Sequence, residues 1–158
     1  MIYNMGKVTI DIEITNHSDE NLFDNNFLIA EKIRKVIVDK VLVDTGATTL
    51  CLPKNVIETL GLKVSRKIVV NTATGDYVTN IYQDAKITIK GRSCVVECIE
   101  LPDNRTPLLG VIPMEMMGLE IDVVKHELKL LPDFSSDTYL LALGLSFKTC
   151  ENLNNNDL

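Results

Sequence analysis

The segment Val41-Leu42-Val43-Asp44-Thr45-Gly46-Ala47 constrains the fold more than any other part of the chain. Three consecutive apolar residues fit the end of a strand buried on both faces. A carboxylate follows at once, so the strand must deliver Asp44 to the edge of a dry core, where burial and neighbours tune its chemistry. Gly46 then lets the backbone turn sharply and come close to whatever lies over the carboxylate. The segment occurs once in 158 residues. A reaction that needs two such carboxylates would draw the second from another chain.

The remaining chain reads as further short strands. Val8, Ile10, Ile12 and Ile14 alternate with polar residues, the period of a half-buried strand. Residues 16–26 are rich in Asn, Asp and Ser and read as a polar loop. Pro53 opens a short helix with Val56, Ile57 and Leu60 on one side and Gly61 as its stop. Ile68 to Val70 and Val78 to Tyr82 flank Thr72-Ala73-Thr74-Gly75-Asp76 and predict a hairpin. Ala85, Ile87 and Ile89 alternate with polar residues, Gly91-Arg92 turns the chain, and Cys94 to Leu101 forms the next strand. Leu108-Leu109-Gly110 leads to a helical turn at Pro113 to Met117, and Ile121 to Val124 with Leu128 to Leu131 make a closing hairpin. The sum is about eight short strands with one or two short helices, an all-β, barrel-like domain. A loose internal repeat runs through it. Leu42 to Gly46 leads to Pro53 and Leu60-Gly61-Leu62, as Leu108 to Gly110 leads to Pro113 and Met117-Gly118-Leu119. The organisation expected is an extension at 1–6, one domain at 7–134, and a tail at 135–158, apolar from Tyr139 to Phe147 and then Asn-rich and disordered.

Composition removes several classes. The net charge of -6 leaves no basic stripe for nucleic acid. The densest basic cluster, Lys32, Arg34 and Lys35, reads as a solvated loop or strand edge. Apolar mass is Val, Ile and Leu, with aromatics at 5% and no Trp. The cysteines (Cys51, Cys94, Cys98, Cys150) lack metal-ligand spacing, and His17 and His126 stand far apart in polar turns, so no metal and no cofactor are expected. Cys94 and Cys98 share a strand face and read as small buried hydrophobes, and Cys51 reads as core. The N-terminus has no apolar run of signal-peptide length, and no segment, Tyr139 to Phe147 included, is long enough for a membrane span. No membrane partner is expected, and the cytoplasm is the expected compartment.

Taken together, the strand-borne Asp44-Thr45-Gly46-Ala47, the hairpin around Thr74-Gly75 and the late Leu108-Leu109-Gly110 before a short helix resemble the retropepsin-like aspartic proteases. Order and spacing agree across residues 7–132, with an insertion at 16–35. The closing Gly118-Leu119-Glu120-Ile121-Asp122 is similar to single-domain bacterial members. The resemblance implies a closed acid-protease-type barrel, active as a homodimer on polypeptides, with Asp44 of each chain as the catalytic residue. Thr45, Gly46 and Ala47 would support it: Thr45 by bonding across the twofold to the opposite loop, Gly46 by offering its carbonyl to an extended substrate. Thr72, Ala73, Thr74, Gly75 and Asp76 would form the flap over the peptide. Thr48, Leu108 and Gly110 would complete the substrate-binding set, with Leu108 lining a side-chain pocket and Gly110 letting two loops pack closely.

Three positions modify that expectation. Ala47 brings no hydroxyl to favour the charged carboxylate, so activity is expected at mildly acidic to near-neutral pH rather than strongly acidic pH. Thr48 and Val111 stand where retroviral enzymes usually carry an Asp and an Arg that pair near the dimer interface. Both partners are absent together, so no charge is stranded, and the mode of dimerisation is left open. The flap carries a single glycine at its tip, Gly75, which implies a stiffer hairpin or a narrower substrate range.

Two other functions compete. A retropepsin-shaped module could bind peptides or dimerise without cleaving, although the intact Asp44-Thr45-Gly46 favours an enzyme. Asp44 to Thr49 also bears a faint likeness to phosphate loops of actin-like ATPases. Those folds need longer chains and alternating helices, which this pattern lacks.

Overall fold

The computed structural model describes residues 6–102 and 104–132. The expected tail at 135–158, Cys150 included, and all but the last residue of the extension at 1–6 lie outside the described residues. Nine strands, three α-helices and one 3-10 turn follow one another within them. In chain order these are β1 (Thr9–Asn16), α1 (His17–Asp24), the turn Ala30–Lys32, β2 (Lys35–Val43), β3 (Leu50–Pro53) and α2 (Lys54–Leu60). Then come β4 (Val64–Thr72), β5 (Gly75–Ile89), β6 (Arg92–Leu101), β7 (Leu108–Leu109), α3 (Val111–Met117), β8 (Leu119–Asp122) and β9 (Glu127–Leu130).

Seven strands form one sheet in the order β1-β2-β7-β3-β6-β5-β4, and β1 also pairs with β5, while β8 and β9 make a separate hairpin. The alternation read in the sequence sets the faces: Ile12 and Ile14 of β1, and Ala85, Ile87 and Ile89 of β5, are buried in one core with Val41, Leu50, Leu52, Cys98 and Leu109. β5 is longer than expected, one strand from the flap to Ile89, because an irregularity between Tyr82 and Ala85 bends it without ending it. Among the described residues no helix is long and apolar enough to cross a membrane.

The polar stretch at 16–26 is not a loop, and the helices number three rather than one or two. Asn16 accounts for the difference. Its side-chain oxygen accepts the Asp19 N–H at 3.1 Å and caps α1, and Asp19 and Glu20 fill the acidic first turn. The Asn16 amide donates to the Leu60 carbonyl at 2.9 Å, one of the unpaired carbonyls at the end of α2. Arg34 is exposed at the edge of β2, as expected of its cluster, but it is not merely solvated. Its guanidinium makes a forked pair with buried Asp19, at 2.7 and 2.8 Å, and lies against Gly61. Lys32 and Lys35 are exposed. His17 opens α1 and bonds Glu20 at 3.0 Å, so it is a helix residue rather than a turn residue.

The two halves of the internal repeat lie side by side. β2 and β7 pair in parallel, Leu42 with Leu108 and Val43 with Leu109. Each half then ends a seven-residue helix on a left-handed glycine, Gly61 at φ 62° and Gly118 at φ 59°.

Candidate active site

The parallel pairing of β2 with β7 delivers two loops to one place. The Leu42 N–H donates to the Pro107 carbonyl at 2.9 Å and the Asp44 N–H to the Leu109 carbonyl at 3.0 Å. After Asp44 the chain turns, with the Ala47 N–H on the Asp44 carbonyl at 3.0 Å. The Val111 and Ile112 N–H groups then reach back to the Ala47 and Thr48 carbonyls at 2.9 and 3.0 Å. These bonds satisfy the backbone where both strands end.

Within this frame Asp44 is half-buried, Thr45 and Thr48 are exposed, and Ala47 is half-buried. The Gly46 N–H donates to Asp44 Oδ1 at 2.9 Å and orients the carboxylate. Gly110 is the contact point of the loops. A methyl group there would lie 2.5 Å from the Thr49 carbonyl oxygen and 2.6 Å from that of Ala47, both backbone atoms. The close packing expected of Gly110 is thus a steric requirement. Cys51 is buried beside this site, as expected of core. Desolvation pushes its thiol up to about 11, and the negative charge of Asp44 adds to the effect. A thiol held neutral in this way is a poor nucleophile.

The expected flap is the β4–β5 hairpin. Asn71 pairs with Asp76 and Thr72 with Gly75, leaving Ala73 and Thr74 as a two-residue tip. Thr72 Oγ1 donates to the Gly75 carbonyl at 2.6 Å and accepts the Thr74 N–H at 3.3 Å. The Asn71 amide donates to the Asp76 carboxylate at 2.8 Å. Gly75 takes φ +126°, which side chains rarely adopt, so the single glycine of the flap stands where the turn needs it. Residues 71–76 are all exposed.

A pocket of about 480 Å³ opens between this hairpin and the loop that leads into β7. Thr72, Thr74 and Leu108, three of the expected residues, line it; Ala73, Gly75, Asp76 and Asp44 do not. Leu108 links the two regions, since it pairs with Leu42 of β2 and with Cys51 of β3. The pocket also uses Tyr77, Leu101 and Arg105, which sequence reasoning missed. Tyr77 directly follows the flap segment and was within reach of the hairpin reading. Arg105 sits between Pro102 and Pro107, where no periodicity tells which way a side chain faces. Among the described residues no three His, Cys, Asp or Glu side chains group as a metal ion would require.

A structure of EIAV protease complexed with the inhibitor HBY-793 is similar at 22% identity over 70% of this chain and 88% of that one, with a TM-score of 0.43. No curated protein matches. The family model described as "gag-polyprotein putative aspartyl protease" matches residues 33–115, more than half of the chain, from the approach to β2 through most of α3. The chain belongs to that family of retropepsin-like aspartyl proteases.

Proposed function

We propose that the protein is an aspartic endopeptidase that works as a homodimer, with one Asp44 from each chain. The observation that carries this reading is the setting of Asp44. Its carboxylate stands half-exposed at a strand end, aimed by the Gly46 N–H and braced by a second loop that only glycine at position 110 allows. A capping carboxylate in an ordinary turn needs no such brace.

The chemistry follows from placing two such groups together. Two carboxylates about 3 Å apart cannot both ionise, so they share a proton. The charged one takes a proton from a water molecule while the other donates to the scissile carbonyl. The water oxygen attacks the carbonyl carbon directly, giving a tetrahedral diol with no covalent enzyme intermediate. The carboxyl that took the water's proton then gives it to the leaving nitrogen, the other takes a proton from a diol hydroxyl, and the C–N bond breaks to an acid and an amine. The substrate lies extended beneath the β4–β5 hairpin, which keeps bulk water from the reacting centre. We also propose a reducing compartment, the cytoplasm, for a protein whose Cys51, Cys94 and Cys98 are free thiols.

The test is cleavage of a diverse peptide library by the wild type and by Asp44→Asn, with and without a peptide bearing a hydroxyl in place of the scissile carbonyl. Cleavage by the wild type alone, blocked by the hydroxyl mimic, is expected. Cleavage retained by Asp44→Asn would overturn the mechanism. No cleavage by either protein would leave a binding module as the better reading.

A further inference from the structure

The pocket beside the flap carries one feature that the cleavage chemistry does not use. The chain has four arginines, and three are engaged. Arg34 pairs with Asp19, Arg66 pairs with Glu97, and Arg92 donates to the Met117, Gly118 and Leu131 carbonyls. Arg105 is different. It is exposed, it lines the pocket, and among the described residues no carboxylate forms an ion pair with it. The nearest flap carboxylate in sequence, Asp76, is held on the Asn71 amide. The Arg105 N–H donates to the Pro102 carbonyl at 3.3 Å.

The rest of the lining is mixed: Tyr77 of β5, Leu101 and Leu108 are apolar, and Thr72, Thr74, Asn104 and Thr106 are polar. Arg105 lies within electrostatic reach of the ring. Burial pushes the Tyr77 hydroxyl up, Cys51 adds to this, and Arg105 pulls it back. A pocket that combines apolar side chains, hydroxyl groups and a cation in its lining suits a side chain with a short hydrocarbon stem and a terminal carboxylate. A volume of about 480 Å³ exceeds what one such side chain needs, so the stem enters without displacing the walls.

We propose that this pocket selects an acidic side chain, Glu or Asp, of the polypeptide substrate, with Arg105 as the specificity-determining residue. The inference rests on the endopeptidase reading for the identity of the ligand as a peptide. The net charge of -6 sharpens it. The overall field disfavours acidic peptides, so a preference for Glu is expected at one position only and not along the whole peptide.

Binding separates this inference from catalysis. Full-length Asp44→Asn is titrated with peptides that are acetylated and amidated and carry a central hydroxyethylene group. They come in pairs with Glu or Gln at successive positions on either side. At one position Glu is expected to bind roughly tenfold tighter than Gln, as for a charge-assisted contact at a partly exposed site. Adding Arg105→Gln should abolish that preference, and Arg105→Glu should reverse it, with the other positions unmoved. Absence of any Glu-preferring position, a preference that survives Arg105→Gln, or no peptide binding would each overturn the proposal. Cleavage by the wild type is read separately on the corresponding amide peptides. A preference without cleavage sinks the endopeptidase reading and keeps the pocket; cleavage without a preference does the reverse.

Discussion

Gly110 shows how narrowly one residue conditions the site. Its φ of -88° and ψ of -177° are open to any residue, so conformational freedom does not explain the glycine. Space does. The atoms that a methyl group would strike are backbone atoms of Ala47 and Thr49, which cannot swing aside as a side chain would. Gly110→Ala must therefore push the Asp44 loop away from the loop before α3. The expected cost is about 2 kcal/mol of stability, read from a denaturant midpoint. Peptidase activity should fall by more than the unfolded fraction explains, because the bonds from Val111 and Ile112 to the Asp44 loop are displaced with it. An alanine variant of unchanged activity would mean that the brace does not position the carboxylate.

At the scale of elements, the junction of α1, α2 and β2 is held by three side chains. Asn16 caps α1 and donates to the end of α2; Asp19, buried in the first turn of α1, accepts the Arg34 guanidinium and the Arg34 N–H. Hydrogen bonds from Arg34 outweigh desolvation and hold the Asp19 carboxyl below its usual range. The sign of the pH effect follows. A depressed value in the folded state stabilises fully above the unfolded value of about 4 and less and less as pH falls through the lower folded one. Asp19→Asn should lower stability at neutral pH by about 2 kcal/mol, less than for a fully buried pair because Arg34 is half exposed to water. Its stability should also change less steeply than the wild type's below about pH 4, measured by thermal melts across pH. Equal slopes would show that the pair does not contribute. This junction also marks where the sequence stops being legible. Strands β1, β2 and β6 and the β4–β5 hairpin could be read because alternation and turn chemistry are local signals. Helix α1 could not, since its Asn- and Asp-rich composition favours a loop unless a cap and a distant arginine act together. The Asp44 turn was legible as a motif. The facing of Arg105 was not, because no regular period runs between Pro102 and Pro107.

At the scale of the whole molecule, the sheet bends round until β5 meets β1, and the Asp44 loop lies where β2 and β7 end. One chain supplies one Asp-Thr-Gly segment. If activity requires two, wild-type activity must respond to inactive partners. Mixing wild type with an equal amount of Asp44→Asn chain under exchanging conditions should reduce activity per wild-type chain to about half, as random pairing requires. A monomeric enzyme would show no change. Even within one chain the site is assembled from distant pieces, since the Asp44 turn is finished only when Leu109 to Ile112 close on it. A chain still emerging from the ribosome carries its acid long before it carries the clasp, so a nascent chain that stops short of Ile112 holds an unfinished Asp44 turn.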